Sequence, residues 1–501
     1  MLSLLPALRQ AAPRLSRHIF CPRCLSAATR PPIKRPSMLK NIRFNSSAYT
    51  SPAAPAGTSP LGSLSKTITG KHAKISFFPE NNQQIVAYWL LGSAASVFGI
   101  VILGGLTRLT ESGLSITEWR PVTGSLPPLS AGDWDSEFTK YKSSPEFMLL
   151  NPHMTLPEFK QIYYMEWGHR LWGRVVGLSF ILPAAYFVAR RKVSAPMALR
   201  MAGIGGLIGL QGVLGWWMVK SGLKDDLFAP GSHPRVSQYR LTAHLGTAFL
   251  CYTAMLWNGL SILRENRLLA DPVSATKELQ LLRNPTLRLF RRSVIGLAGL
   301  VFLTAMSGGL VAGLDAGLIY NEFPYMGTGF APPSAELFSD FYSRQPDHSD
   351  LWWRNMLENP STVQLDHRIL ATTTLSAVLA LWAYSRYGRS VRAALPATAK
   401  KGVRGVVHLV SLQVVLGIAT LLYLVPVPLA AAHQANSLAL LTGVVVLASR
   451  VRLPPRRTVK LLAERMAKGA TAASRISIGA RSSSAARSSP ARAFSSSPTS
   501  L

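Results

Sequence analysis

The sequence predicts an all-α membrane protein with eight transmembrane helices, arranged as two tandem, pseudo-symmetric four-helix bundles. Three observations lead to this prediction. Apolar stretches of about 20 residues, the length that spans a bilayer, recur along the middle of the chain. Short motifs repeat in the same order in its two halves. Four histidines stand at corresponding places in four of the apolar stretches.

The ends of the chain differ from its middle. The 501 residues carry a formal net charge of +31 together with 48% hydrophobic residues, an unusual combination for a soluble protein. Residues 1–79 contain no acidic residue, and residues 450–501 contain only Glu464. An acid-free N-terminal segment with Arg and Ser is typical of a mitochondrial transit peptide. Charge in low-complexity ends, rather than on a folded basic face, argues against nucleic-acid binding.

The three cysteines predict neither a disulfide framework nor a zinc site. Cys21 and Cys24 form a Cys-Pro-Arg-Cys motif within the predicted presequence, but no second pair completes a tetrahedral site. Cys251 lies in an apolar stretch, where simple packing explains it.

The loops between the eight segments alternate in charge. Those after the second, fourth and sixth segments are rich in Arg and Lys, whereas residues 111–158 and 315–358 carry acids. Because basic loops stay on the inner side, we expect both termini in the mitochondrial matrix and all four histidines toward the intermembrane space. The short 425–428 connection predicts a tight hairpin between the last two segments. In order, the segments are 84–106, 169–189, 198–219, 241–263, 293–314, 367–384, 402–424 and 429–449.

The two halves indicate a tandem duplication of a four-helix unit. Chance similarity between apolar helices explains matching Leu, Val and Gly residues, but not His and Gln recurring in register. The matched stretches are Gly104-Gly105-Leu106 with Gly308-Gly309-Leu310, His169-Arg170 with His367-Arg368, Leu210-Gln211 with Leu412-Gln413, and Ala243-His244 with Ala432-His433. The predicted boundaries are 1–64 (transit peptide and linker), 65–82 (matrix segment), 83–265 (first bundle), 266–292 (basic matrix linker), 293–450 (second bundle) and 451–501 (disordered basic tail rich in Ser and Arg).

The histidines predict two pairs of axial ligands for haem iron. Imidazoles that project from facing helices of a four-helix bundle can bind a core cofactor from opposite sides. Zinc and copper are disfavoured, because neither pair has Cys or carboxylate partners that complete a compact site. The predicted pairs are His169 with His244 in the first half, and His367 with His433 in the second.

Arg170 and Arg368 directly follow the first histidine of each pair. Their planar guanidinium groups suit bidentate contacts to haem propionates. Snorkelling toward the membrane surface explains the same two residues equally well, so both interpretations stay open.

The halves differ at one charged position. Glu166 stands three residues before His169, whereas Gln364 stands three residues before His367. This spacing puts the acid on the histidine's helix face, one turn nearer the water. A carboxylate beside one haem only predicts that the first half does chemistry, with Glu166 transferring protons or stabilising positive charge. A surface acid at a helix mouth is the alternative.

From these residues alone, three functions remain open. They are a haem-modifying oxidoreductase, a bis-histidine cytochrome that exchanges electrons with quinone, and a haem carrier. Two equivalent haems in a cytochrome would give Glu166 no special role, so its replacement by Gln364 in the second half favours the enzyme.

The membrane region, residues 83–450, resembles the haem A synthases, mitochondrial and bacterial membrane enzymes that oxidise haem O. The motifs that carry the resemblance are Gly104-Gly105-Leu106-Thr107-Arg108-Leu109-Thr110, Ser112-Gly113-Leu114-Ser115, Glu166-Trp167-Gly168-His169-Arg170, Gly308-Gly309-Leu310-Val311-Ala312-Gly313-Leu314-Asp315-Ala316-Gly317, Asn321, Phe323-Pro324 and Leu365-Asp366-His367-Arg368.

The resemblance implies successive oxidation of the C8 methyl group of haem O to a formyl group, with water as the oxygen source, giving haem A for cytochrome c oxidase. It implies that His367 and His433 bind a resident haem b, and that His169 and His244 flank the substrate haem with Glu166 beside the reacting region. Some bacterial members carry paired cysteines in the outward loops, and this chain has none there. The electron partner therefore stays open, a ferredoxin-type protein being one candidate. Haem O synthase, cytochrome c oxidase assembly factors and a second copy of the chain are further expected partners within the lipid bilayer.

Overall fold

The computed structural model describes residues 78–228 and 234–468. The predicted transit peptide, with Cys21 and Cys24, and the end of the predicted tail lie outside the described residues. Within them the chain is helical, with one isolated bridge between Met326 and Gly329 and no extended strand. Eight long helices, α1 to α8, run in the order Gln84–Leu109, Leu156–Ala189, Ala195–Gly222, Gln238–Ala270, Leu287–Leu314, Pro360–Tyr387, Ala397–Leu422 and Val427–Val451.

Seven of these helices are long and apolar enough to cross a membrane. The remaining long helix, α6, has 28 residues, but Asp366, His367, Arg368 and a run of threonines make it more polar than the others. Large apolar side chains such as Leu199, Ile295 and Val415 are exposed on the outer faces of the helices. Helices that are apolar all round suit a lipid environment, so the prediction of an all-helical membrane protein is confirmed.

The long helices form two rings of neighbours. Helices α1 and α3 each pack against α2 and α4, which closes the first ring, and α5 and α7 each pack against α6 and α8, which closes the second ring. The rings meet where α1 contacts α8 and where α4 contacts both α5 and α8. Leu90, Met255, Phe290 and Leu438, one from each of these four helices, are completely buried in one apolar core.

Helix α2 begins well before the predicted segment 169–189. The backbone N–H of Thr155 donates to Glu158 Oε2 at 2.8 Å, which satisfies a free donor at the helix start. Phe159 and Tyr163 in the added turns pack against an aromatic cluster from the preceding helix Ala131–Lys142. Because these turns are stabilised by tertiary packing, His169 lies well inside the helix rather than at its mouth.

A further helical stretch, residues 456–468, lies where the sequence predicts a disordered tail. Leu462 is buried there against Leu268 and Leu269 at the end of α4 and against Leu279 of the following helix Pro272–Leu282. Apolar packing by Leu462, with Leu461 beside it, thus gives a helix to part of a segment whose composition resembles a disordered tail.

Candidate histidine sites in the two helix rings

Each predicted ligand histidine lies against the backbone of a glycine on the preceding helix. A Cβ built on Gly104, Gly308 or Gly417 would come within 2.9–3.1 Å of the histidine Cε1 atom, closer than carbon atoms normally approach. At these three positions an alanine would therefore displace the imidazole, whereas a Cβ on Gly215 would meet His244 Cε1 at 3.4 Å, an ordinary contact. The four pairs are Gly104 with His169, Gly215 with His244, Gly308 with His367, and Gly417 with His433.

The second ring brings its two imidazoles opposite each other in an edge-to-face arrangement. The ring centroids of His367 and His433 are 6.4 Å apart, and the ring planes are 80° from each other. Metal–imidazole bonds of about 2 Å place the centroids of two opposed axial rings roughly 6 Å apart. The space between these two side chains thus has the size for one iron atom.

Hydrogen bonds orient both imidazoles of the second ring. Ser307 Oγ and His367 Nδ1 are 2.8 Å apart. Gln413 Nε2 lies 3.3 Å from each ring nitrogen of His433, donates to the His433 carbonyl at 3.1 Å, and is itself positioned by Asn436. In His367 the hydrogen bond at Nδ1 fixes the ring orientation and leaves Nε2 as the nitrogen suited to a metal.

The first ring lacks the hydrogen bond that Ser307 provides. His169 Nδ1 and His244 Nδ1 are buried and have no hydrogen-bond partner among the described residues. Leu103 precedes Gly104 in the first ring, at the position where Ser307 precedes Gly308 in the second. The imidazoles of the first ring are therefore held by their glycine contacts without a hydrogen bond at Nδ1 from a described residue.

Glu166 is buried and engaged at both oxygens. Oε2 accepts from the Ser115 hydroxyl at 2.7 Å and from the Ile116 N–H at 2.8 Å. Oε1 accepts from Arg170 Nε at 3.0 Å and from Arg170 Nη2 at 2.6 Å. The predicted acid is therefore not a surface residue at a helix mouth. It joins α2 to the segment that follows α1.

Arg170 and Arg368 also bind the segments that follow α1 and α5. Arg170 donates to the Ile116 and Glu118 carbonyls. Arg368 donates to the carbonyls of Tyr320, Glu322 and Tyr325. The spacing from Ile116 to Tyr320 equals that from Gly104 to Gly308, so the duplicated halves use the same contact. No propionate is needed to explain either guanidinium group.

One buried acid near the site was missed by sequence reasoning. Glu146, on the short helix Pro145–Leu149, is only 3% exposed, and its Oε2 has no hydrogen-bond partner among the described residues. Burial, and then the negative charge of Glu166, raises the pKa of Glu146 to about 8. An acid in a polar loop carries no sequence signal of burial. In the described part of the chain, no three His, Cys, Asp or Glu side chains are grouped to hold a metal ion by themselves.

Known proteins resemble the chain over this whole region. The COX15-CtaA family model, described as cytochrome oxidase assembly protein, matches residues 87–445. Heme A synthase COX15 of Saccharomyces cerevisiae is 54% identical over 377 residues, 75% of this chain and 77% of the yeast protein. Heme A synthase COX15 of Homo sapiens is 48% identical over 376 residues, 75% of this chain and 84% of the human protein.

A fusion protein is also similar to the chain. The heme A synthase-mitochondrial ferredoxin fusion protein of Schizosaccharomyces pombe is 51% identical over 370 residues, which are 73% of this chain and 60% of the fusion. The family match extends from α1 to α8 and includes all four histidines and Glu166.

Proposed function

Because the chain belongs to the COX15-CtaA family of cytochrome oxidase assembly proteins, we infer that it is a haem A synthase, a membrane oxidoreductase that converts haem O to haem A for cytochrome oxidase. Its relatives in yeast and human are named as such, and the resemblance predicted from the sequence is confirmed. The observation that carries the inference is the glycine–histidine contact, which occurs twice in each ring. The finer proposal is that the C8 methyl group of haem O becomes a formyl group, with water supplying the oxygen.

His367 and His433 are proposed as the axial ligands of a resident haem b. The 6.4 Å separation of their ring centroids and the contact of Ser307 with His367 Nδ1 support this assignment. Haem bound there would supply one-electron transfer. The protein's own part is to hold both imidazoles in place: Gly308 and the Ser307 hydroxyl do so at His367, and Gly417 and the Gln413 amide do so at His433.

His169 and His244 are proposed to flank the substrate haem in the first ring. The glycine contact of each imidazole supports this assignment. Neither Nδ1 atom has a hydrogen-bond partner among the described residues, so these imidazoles are held less rigidly than His367, which suits a haem that must enter and leave.

Glu166 is proposed as the acid that acts in the reaction, one helical turn from His169. Its burial and its four hydrogen bonds support a fixed carboxylate whose negative charge would stabilise positive charge that develops nearby. Proton transfer would require Glu166 to exchange one of these donors. A propionate contact by Arg170 or Arg368 stays a prediction, since both guanidinium groups bind loop carbonyls.

The proposed topology has eight spans, with α6 as the sixth, in two tandem, pseudo-symmetric four-helix bundles of the mitochondrial inner membrane. Both termini would lie in the matrix and the histidines toward the intermembrane space. The two helix rings, and the glycine–histidine contacts on corresponding helices of each ring, support this arrangement.

An electron-transfer protein of the ferredoxin type is proposed as a partner, because one relative is a fusion of haem A synthase with mitochondrial ferredoxin. Haem O synthase, other assembly factors of cytochrome c oxidase and a second copy of the chain stay predictions.

Chromatography of extracted haems tests the proposed function. Purified protein should yield haem b together with haem O or haem A, and mitochondria that lack the protein should lose haem A and accumulate haem O. Haem b alone in the protein, with undiminished haem A in mitochondria that lack it, would identify a cytochrome instead.

A further inference from the structure

The paired glycines of α1 and α5 each contact both rings. The first glycine of each pair lies against a histidine of its own ring, as Gly104 does against His169. The second glycine faces the other ring: a Cβ on Gly105 would overlap the side-chain amide of Gln434, which directly follows His433 on α8. Two neighbouring residues of α1 thus contact both histidine sites.

Gln434 forms a hydrogen bond as well as a close contact. Its Nε2 donates to the Val101 carbonyl of α1 at 2.9 Å. That carbonyl is also the helical acceptor for the N–H of Gly105, four residues later. The amide therefore inserts beside one turn of α1 at a place where only glycine leaves room for it.

The equivalent contact in the other direction is of a different kind. A Cβ on Gly309 of α5 would meet Leu245 Cδ2 at 3.3 Å and Thr242 Oγ1 at 3.2 Å. Leu245 follows His244 just as Gln434 follows His433, but its side chain is apolar. Of these two contacts, the one made by Gln434 includes a hydrogen bond between the rings, and the one made by Leu245 is apolar.

We propose that Gln434 is a positioning residue that couples the two histidine sites, so that a change at His169 is felt at His433 through Gly104, Gly105 and the Gln434 amide. The proposal rests on the proposed function, in which His433 is a haem b ligand. Close-packed interiors transmit small displacements, and a hydrogen bond at the contact makes the displacement directional. The coupling would let the resident haem respond to the presence of the substrate haem in the other ring.

The experiment uses the full-length protein, purified in detergent, and the electron paramagnetic resonance signal of low-spin haem b. Adding haem O should shift the haem b signal of the wild-type protein. Gln434→Ala should keep haem b and lose this shift. A shift that persists in Gln434→Ala would overturn the proposal.

A pair of glycine variants tests the same contact from the other side. Gly105→Ala lies in the first ring, yet it should lower haem b retention in the second ring about tenfold, because the new methyl group displaces Gln434. The double variant Gly105→Ala/Gln434→Ala should recover haem b, since the overlapping amide is gone. Gly309→Ala is the matched control and should retain haem b, because its Cβ would meet Thr242 Oγ1 at 3.2 Å and Leu245 Cδ2 at 3.3 Å, a much smaller overlap than the one with the Gln434 amide at Gly105.

The outcomes separate the two proposals. Wild-type protein without any haem b would refute the ligand assignment of the proposed function. Wild-type haem b with no loss in Gly105→Ala, or no recovery in the double variant, would refute the coupling alone.

Discussion

Replacing Gly417 with alanine tests whether the glycine–histidine contacts hold the axial ligands. The new Cβ would lie 2.9 Å from His433 Cε1, whereas carbon atoms prefer about 3.5–4.0 Å. The imidazole must then move by several tenths of an ångström or more. Overpacking of this kind costs about 1–3 kcal/mol, and the better helix propensity of alanine offsets about 1 kcal/mol of the effect on folding. Since about 1.4 kcal/mol corresponds to tenfold in affinity, we expect haem b to bind roughly tenfold more weakly.

The same helix supplies a matched control, Gly405→Ala. No described atom lies within 4 Å of a Cβ at Gly405, so alanine there should raise the thermal midpoint slightly and leave haem b unchanged. Haem b per polypeptide, measured from the absorbance of the extracted haem, and thermal unfolding in detergent compare the two variants. Equal haem b content in Gly417→Ala and Gly405→Ala would show that the close contact does not position His433.

Three further predictions address the acids and the second ring. Glu166→Gln should abolish haem A formation while haem b is retained. It should also lower the free energy of unfolding by about 1–3 kcal/mol, because the new amide N–H₂ would point at hydrogen-bond donors. Analysis of extracted haems and thermal unfolding measure the two effects separately, and unchanged haem A would remove the acid from the mechanism. Ser307→Ala should weaken haem b binding at His367 by about 10- to 100-fold, because it removes the hydrogen bond that orients a metal-binding imidazole. Titration of the apoprotein with haem b measures the affinity, and a wild-type value would contradict the prediction. Glu146 has a pKa raised to about 8, so the folded state binds its proton more tightly than the unfolded state does, and this contribution to stability is lost as the pH rises from about 4.5 through 8. The thermal midpoint should therefore fall between pH 5 and pH 8.5 in the wild type and less in Glu146→Gln, and parallel pH profiles would refute the assignment.

The positions of the long helices could be predicted, because apolar runs of bilayer length are a direct property of the sequence. Their ends could not. Helix α2 continues outward to Leu156 because Phe159 and Tyr163 pack on an aromatic cluster, and such packing involves residues distant in sequence. The order at residues 456–468 depends in the same way on Leu462 and its remote partners.

The residue types of the site could be predicted better than their contacts. The sequence singles out Glu166 and Arg170, but their partners Ser115 and Ile116 lie on a different segment, and several of the bonds go to backbone atoms. Backbone partners leave no pattern in the sequence. The glycines were visible as repeats, yet small residues also suit ordinary helix packing in membranes, so their contact with each imidazole emerged only from the structure.

The two rings share the contacts that hold an imidazole and differ in the side chains that lie beside it. In both rings a glycine lies against each histidine. In both, a glutamine amide donates to a histidine carbonyl, Gln211 to His244 and Gln413 to His433. In both, an arginine donates to a carbonyl of the segment after the first helix of the ring, Arg170 to Ile116 and Arg368 to Tyr320. The differences are Leu103 for Ser307, Glu166 for Gln364, and Leu245 for Gln434. The first ring thus has freer imidazoles and a buried carboxylate, whereas the second has fixed imidazoles and the amide that reaches across to α1. These three differences lie beside the histidines, and they agree with the proposed division between a reacting haem in the first ring and a resident haem in the second.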